Sequence, residues 1–198
     1  GDGFVHLADY RAPAWRVLHA NLVFDLDPAA TTVESVLSLE PDPAQPGLPI
    51  VLDGEGLTLL AIELDGRALG EGEYRYDGHV LRLDGPGKAC ALRTRVRIHP
   101  DANTRLEGLY QSGKLLLTQC EAQGFRRISF MADRPDVMPR WRISLRADRA
   151  AYPVLLANGN PVSSRDLDEG RHEAVWENPH PTPAYLFAIA AGELGRVT

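Results

Sequence analysis

Apolar and polar residues alternate along much of the chain. The clearest example is the range 90–98, where every second residue is apolar or threonine and the residues between them include Arg93, Arg95 and Arg97. Because successive side chains of a β-strand point to opposite faces, this pattern predicts a strand with one buried face and one face of arginines. The same alternation predicts strands at 18–26, 33–39, 50–52, 57–64, 74–76, 80–83, 115–121, 141–148, 154–156, 172–176 and 185–190.

The segments between these strands carry turn signals. Asp77-Gly78 predicts a hairpin, because both residues tolerate the positive φ that a two-residue turn requires. The range 102–113 predicts a turn or short helix, and 124–132 predicts a helical turn. No stretch of about 15 residues has the period of an amphipathic helix. We therefore expect an all-β fold, a sandwich or a curved multi-strand sheet with few or no long helices, formed by residues 1–198 as a single domain.

The composition narrows the class of partner. The chain has 198 residues, with 27 acidic and 21 basic side chains and a net charge of −6. Nucleic-acid-binding proteins usually carry a basic face, so this charge argues against a nucleic-acid partner. The longest uncharged apolar stretch, 184–192, is far shorter than the roughly 20 residues that a membrane span needs. With no secretory signal at its start, the chain is expected to be soluble and to bind no membrane.

The residues that usually carry metal or nucleophile chemistry are not arranged for it. Cys90 and Cys120 are too few for a disulfide scaffold or a Cys-only zinc site, which favours a reducing, cytoplasmic location. His172-Glu173 begins like the zinc motif His-Glu-x-x-His, but Trp176 stands where the second histidine is required. There is no Gly-x-Ser-x-Gly nucleophile motif and no phosphate-binding loop. We expect no catalytic residue, metal or cofactor in this chain.

One segment departs from the simple pattern of apolar residues in the core. In the predicted strand 115–121, Gln119 and Glu121 share a face with Leu115 and Leu117. A core face with two consecutive polar positions is costly unless those groups are satisfied. Two explanations are open: the strand leaves the core at this point, or Gln119 and Glu121 line a cleft that binds a cationic or hydrogen-bonding ligand.

Several runs of residues resemble the N-terminal domain of bacterial aminopeptidase N, a family of zinc-dependent aminopeptidases. The resemblance extends from Tyr10 to about Glu193 and rests on Tyr10-Arg11-Ala12-Pro13, Leu106-Glu107-Gly108-Leu109-Tyr110-Gln111-Ser112-Gly113, Thr118-Gln119-Cys120-Glu121-Ala122, Phe125-Arg126-Arg127, Asp133-Arg134-Pro135-Asp136-Val137 and Asn158-Gly159-Asn160.

This resemblance implies a saddle-like, largely antiparallel β domain that precedes a catalytic zinc domain. The family's His-Glu-x-x-His helix and Gly-Ala-Met-Glu-Asn loop belong to that second domain and are absent here, so zinc is expected only in the full-length enzyme. Gln119 and Glu121 match the family positions that hold the α-amino group of a peptide substrate. The implied partners are a peptide N-terminus and the chain's own catalytic domain. The alternative is a stand-alone β-sandwich binding or interaction module without catalytic activity.

Other notable residues have structural interpretations. We expect Arg126, Arg127 and Asp133 to form an ion-pair network that buttresses the domain, and Glu107 to be structural. The arginine face at 90–98 is expected to meet solvent or a partner domain. Trp15, Trp141 and Trp176 are expected in the core.

Overall fold

The computed structural model describes residues 10–195. Strands hold 51% of these described residues and helices 5%, which confirms the all-β prediction. The strands are β1 Trp15–Asp25, β2 Thr31–Pro41, β3 Ile50–Asp53, β4 Thr58–Leu64, β5 Arg67–Ala68, β6 Tyr74–Tyr76, β7 Val80–Leu83, β8 Cys90–Ile98, β9 Gly108–Ser112, β10 Leu115–Gln119, β11 Arg140–Asp148, β12 Val154–Ala157, β13 Asn160–Asp166, β14 Arg171–Asn178 and β15 Ile189–Gly192. Short 3₁₀ helices occur at Pro100–Ala102, Phe125–Arg127 and Ala184–Leu186. None of the helices between residues 10 and 195 is long and apolar enough to cross a membrane.

The largest sheet has eight strands in the order β13-β14-β11-β1-β2-β8-β4-β5. Its neighbouring strands run antiparallel, except that β1 and β11 are parallel. Alternation decides which face is covered: in β8 the residues Cys90, Leu92, Thr94, Val96 and Ile98 are buried, whereas the three arginines between them are exposed. The strand predicted from this pattern is therefore confirmed.

A four-stranded sheet has the order β12-β15-β10-β9, and the segments that follow β10 and precede β15 pack on the main sheet through an aromatic cluster. Phe125 lies 5.3 Å from Trp141 and 5.0 Å from Phe187 between ring centroids, and Phe187 also stacks on Phe24 at 6.0 Å. All four rings are buried. Because Trp141 and Phe24 belong to the main sheet, this cluster fixes the 3₁₀ helix Phe125–Arg127 against that sheet.

A three-stranded sheet, β3-β7-β6, completes the described fold. Asp53 at the end of β3 pairs with Met131 in both directions: the Asp53 N–H donates to Met131 at 2.7 Å and the Met131 N–H donates back at 3.1 Å. The segment that follows the 3₁₀ helix is thereby attached to the end of β3, which brings the turn after β3 close to Arg126 and Arg127.

Four details of the sequence prediction are wrong. The range 108–112, expected as part of a turn or short helix, is strand β9, because its backbone pairs with β10 although Gly108 and Leu109 are its only buried residues. The predicted strand 115–121 ends at Gln119. The range predicted as strand 185–190 begins with a 3₁₀ helix and becomes strand only at Ile189. Trp176 is half-buried rather than in the core.

Candidate functional site

Gln119 and Glu121 lie together at one end of β10. Gln119 is the last residue of the strand and Glu121 lies in the turn that follows; both are exposed. The Gln119 amide nitrogen Nε2 donates to the backbone carbonyl oxygen of Glu121 at 3.3 Å. The buried residues of this segment are Leu116 and Cys120. The two polar residues therefore leave the strand at an open surface, which agrees with the first of the two explanations that the sequence left open.

The turn that carries Glu121 is anchored at both ends. Cys120, immediately before it, is only 3% exposed, and burial raises the pKa of its thiol to about 12. The Gly124 N–H donates to the Cys120 carbonyl at 2.8 Å and closes the turn. Phe125 follows directly and is fixed in the aromatic cluster. The Glu121–Ala122 peptide bond is cis. Glu121 is thus displayed from a segment whose two flanks are packed in the core.

Two arginines follow the turn and are held by carboxylates from other elements. The Arg126 Nε lies 3.2 Å from the Asp133 carboxylate, which is 2% exposed. Burial raises the pKa of Asp133, and the Arg126 guanidinium opposes that increase. Arg127 donates from Nη2 to Glu55 at 2.6 Å and from Nε to Glu107 at 3.0 Å. The predicted buttressing network of Arg126, Arg127 and Asp133 is therefore present.

The network is larger than the sequence indicated. Sequence reasoning assigns no role to Glu55 and only a general structural role to Glu107. No local sequence motif marks Glu55 as an ion-pair residue, because its partner Arg127 is 72 positions away in the chain. Ion-pair partners at such separations are set by the topology, and no short motif reports them.

A small cavity of about 160 Å³ opens beside the turn, lined by Glu55, Glu107, Glu121, Ala122, Gln123, Gly124, Arg126 and Arg127. The carboxylates of Glu55 and Glu107 both form ion pairs with Arg127. Within residues 10–195, the Glu121 carboxylate makes no hydrogen bond and no ion pair. An unoccupied carboxylate at the edge of a small polar cavity can accept charge-assisted hydrogen bonds from a cationic group.

The described residues do not fit a metal ion. Between residues 10 and 195 no group of three or more His, Cys, Asp or Glu side chains is placed to hold one. His172 and Glu173 lie in β14 and have other partners: the His172 Nε2 lies 2.8 Å from the Tyr152 carbonyl, and Glu173 accepts from Arg146 at 2.6 Å and Arg165 at 2.8 Å. Cys90 and Cys120 are buried free thiols.

The chain matches a known family over most of its length. The family model for the peptidase M1 N-terminal domain matches residues 17–186. Aminopeptidase N of Caulobacter vibrioides is 47% identical over 190 residues, which are 96% of this chain and 22% of that protein. Aminopeptidase N of Escherichia coli K12 is 40% identical over 185 residues, covering 93% of this chain and 21% of that protein. The chain therefore spans about a fifth of the length of these relatives.

Solved structures show the same fold. Aminopeptidase A of Legionella pneumophila, solved in complex with aspartic acid, superposes with a TM-score of 0.89 and 30% identity over 96% of this chain and 22% of that chain. An M1 zinc metallopeptidase from Deinococcus radiodurans, bound to a Tyr-Ser-Ala substrate, has a TM-score of 0.78 and 18% identity over 90% of this chain and 42% of that chain. At that lower identity the likeness concerns the fold alone.

Proposed function

Since the chain belongs to the peptidase M1 N-terminal domain family, we propose that residues 1–198 form the N-terminal β domain of a longer zinc aminopeptidase. In that enzyme the domain contributes recognition of the free α-amino group of a peptide substrate. The whole enzyme removes single residues from peptide N-termini in the cytoplasm, where the two unpaired cysteines stay reduced. The saddle-like shape implied by the sequence resemblance is part of the same proposal.

One observation carries the assignment of the amine site: the Glu121 carboxylate is exposed and unpaired among the described residues, on a turn next to Gln119 whose two flanks are packed in the core. An exopeptidase must detect a free ammonium group. A fixed carboxylate does this through a charge-assisted hydrogen bond. An internal peptide amide cannot satisfy the carboxylate in the same way, so the same group disfavours cleavage within a chain. Gln119 adds a neutral hydrogen-bonding group to this site.

The zinc chemistry belongs to another part of the full-length enzyme. Catalytic zinc sites use three protein ligands and keep one position open, and residues 10–195 hold no such group. This domain therefore supplies no ligand and no general base in the proposal. Its part is to bind and orient the substrate amine relative to a catalytic centre on the following domain. The alternative, a stand-alone binding module, requires that no His-Glu-x-x-His sequence follow Thr198 in the gene.

Competitive inhibition of the full-length enzyme tests amine recognition. Ala-Ala and N-acetyl-Ala-Ala differ only in the charge and size of the amino terminus, and we expect the wild type to bind Ala-Ala at least about tenfold more tightly. The Glu121→Ala variant should lose most of this preference. The matched control is Glu34→Ala, which breaks an exposed ion pair with Arg93 on the main sheet and should leave the preference unchanged. An undiminished preference in Glu121→Ala would show that the amine is recognised elsewhere.

A further inference from the structure

Arg127 and Glu121 line the same small cavity but are not paired. The cavity measures about 160 Å³ and holds three glutamates and two arginines in its wall. The guanidinium of Arg127 instead donates to Glu55 at 2.6 Å and to Glu107 at 3.0 Å. Arg127 and Glu55 are largely buried, with 20% and 25% of their side chains exposed. The Arg127 guanidinium and the Glu121 carboxylate thus line one cavity, but Arg127 pairs with Glu55 and Glu107 instead of Glu121.

The partners of Arg127 are held in place by the backbone. Glu55 lies in the turn after β3, where its N–H donates to the Arg126 carbonyl at 2.8 Å. Glu107 immediately precedes β9, and its carbonyl accepts from the Asn103 side chain at 2.8 Å. Arg126 also lines the cavity, but its Nε donates to the buried Asp133 at 3.2 Å and its Nη1 lies 3.8 Å from Glu55. Both guanidinium groups in the cavity wall therefore have carboxylate partners other than Glu121.

An arginine beside an unpaired carboxylate is a competitor for any cationic ligand. Guanidinium groups form strong bidentate hydrogen bonds to carboxylates. If Arg127 were released from Glu55 or Glu107, its flexible side chain could turn towards Glu121 within the shared cavity. A substrate ammonium would then have to displace an internal cation before it could bind, and its apparent affinity would fall by the fraction of sites occupied in this way.

We propose that Glu55 and Glu107 are positioning residues that hold Arg127 away from Glu121 and so keep the Glu121 carboxylate available to the substrate amine. The inference rests on the proposed function of Glu121 as the amine-binding residue. It adds a specificity role for two glutamates that do not touch the substrate: they exclude an internal competitor.

The test is a set of variants in the full-length enzyme, assayed with an aminoacyl p-nitroanilide. Glu55→Gln keeps the size of the side chain but removes the charge that engages Arg127. We expect KM to rise about two- to fivefold, in line with the strength of a partly exposed ion pair, with a smaller change in kcat. Glu107→Gln is a second, independent variant on a more exposed carboxylate, and it should shift KM in the same direction.

The double variant Glu55→Gln/Arg127→Gln separates competition from simple structural damage. With the competing guanidinium gone, KM should return towards the wild-type value, even though a second ionic contact has been removed. A merely structural role for the network predicts the opposite, because the double variant would then be at least as impaired as Glu55→Gln. The control Glu34→Gln removes an exposed ion-pair partner of Arg93 and should leave KM unchanged.

The outcomes distinguish this inference from the proposal on which it rests. If Glu121→Gln alone leaves the kinetics unchanged, the amine site itself is wrongly assigned. If Glu121→Gln is impaired but Glu55→Gln and Glu107→Gln behave as wild type, the amine site stands and the positioning role is overturned. A double variant that is no better than Glu55→Gln also overturns it.

Discussion

Gly124 packs against Gly108 so closely that a Cβ atom on Gly124 would lie 3.0 Å from the Gly108 backbone nitrogen. The same Cβ would lie 2.4 Å from the carbonyl oxygen of Gln119 and 2.9 Å from the Cα of Cys120. All three neighbours are backbone atoms, which cannot move aside as a flexible side chain can. The turn that carries Glu121 therefore packs directly on Gly108, the first residue of β9. This packing is possible only because Gly124 has no side chain.

Gly124→Ala should destabilise the chain and displace the turn. Overpacking against backbone costs about 1–3 kcal/mol, and we expect a loss of that size in the free energy of unfolding measured with urea. Gly70→Ala is the matched control, because its Cβ would meet only a side-chain oxygen of Glu73 at 3.6 Å. Equal stability of the two variants would mean that the turn has more room than the structure shows.

Glu173→Gln should reduce stability at neutral pH but not in acid. Burial alone would raise the pKa of Glu173, but hydrogen bonds from Arg165 and Arg146 outweigh it and hold the pKa below the ordinary value of 4.5. The ionised form is therefore favoured by folding, and its stabilisation is present above that ordinary value and lost as the pH falls through the lowered pKa. We expect the variant to lose about 1–2 kcal/mol at pH 7.

The difference between wild type and Glu173→Gln should shrink as the pH falls below the ordinary glutamate pKa of 4.5 and through the lowered pKa of the folded state. Urea titrations at several pH values measure it. Glu177→Gln is a control on the same strand, since the Glu177–Arg142 pair is exposed at 3.4 Å; it should change the free energy of unfolding by less than about 0.5 kcal/mol. A loss that stays constant from pH 7 to acid would exclude a charge-dependent role for Glu173.

The isolated chain should release no amino acid from an aminoacyl p-nitroanilide, with or without added zinc. The physical reason is that a catalytic zinc requires three protein ligands, and residues 10–195 present no suitable group. The assay needs a mock purification as a control for contaminating host aminopeptidases. Zinc-dependent turnover above that of the mock preparation would contradict the proposal that the catalytic zinc site lies outside this chain.

Side-chain alternation was enough to predict strands whose two faces differ. The Asp-Gly pair marked the hairpin of β6 and β7 correctly, and Gly78 has φ +91°. The predicted two-residue turn is wrong, however, because residues 77–79 connect the strands and Asp77, without a positive φ, accepts from the backbone of His79 and Val80 instead. Strand β13 was missed because all seven of its residues are exposed. Backbone hydrogen bonds to β14 hold β13 at the edge of the sheet. Because these bonds do not involve side chains, the pattern of hydrophobic residues does not reveal them.

The candidate site was predictable only in part for a similar reason. The polar pair Gln119 and Glu121 stood out locally, because they interrupt an apolar pattern. The environment of that pair depends on Glu55 and Glu107, which approach Arg127 from separate elements. No local sequence signal reports which arginine a distant glutamate meets, so these contacts became visible only with the three-dimensional arrangement.

Gln119→Ala should impair the full-length enzyme less than a change at Glu121. Gln119 offers a neutral hydrogen-bonding group, whose loss costs less than the loss of a charged one. Its amide also donates to the Glu121 carbonyl, so the variant slightly loosens the turn. We expect kcat/KM to fall by about three- to thirtyfold. A larger fall than that of Glu121→Gln would reverse the assigned roles of the two residues.

The central claim is that the Glu121 carboxylate binds the substrate ammonium, and kcat/KM of full-length Glu121→Gln tests it most directly. The substitution keeps the shape of the side chain and removes its charge. Removing one partner of a charge pair covered by bound substrate should lower kcat/KM by about tens-fold to thousands-fold. Zinc content should not change, because Glu121 is not a zinc ligand in this account. Equal kcat/KM for the wild type and a correctly folded Glu121→Gln variant would contradict the claim.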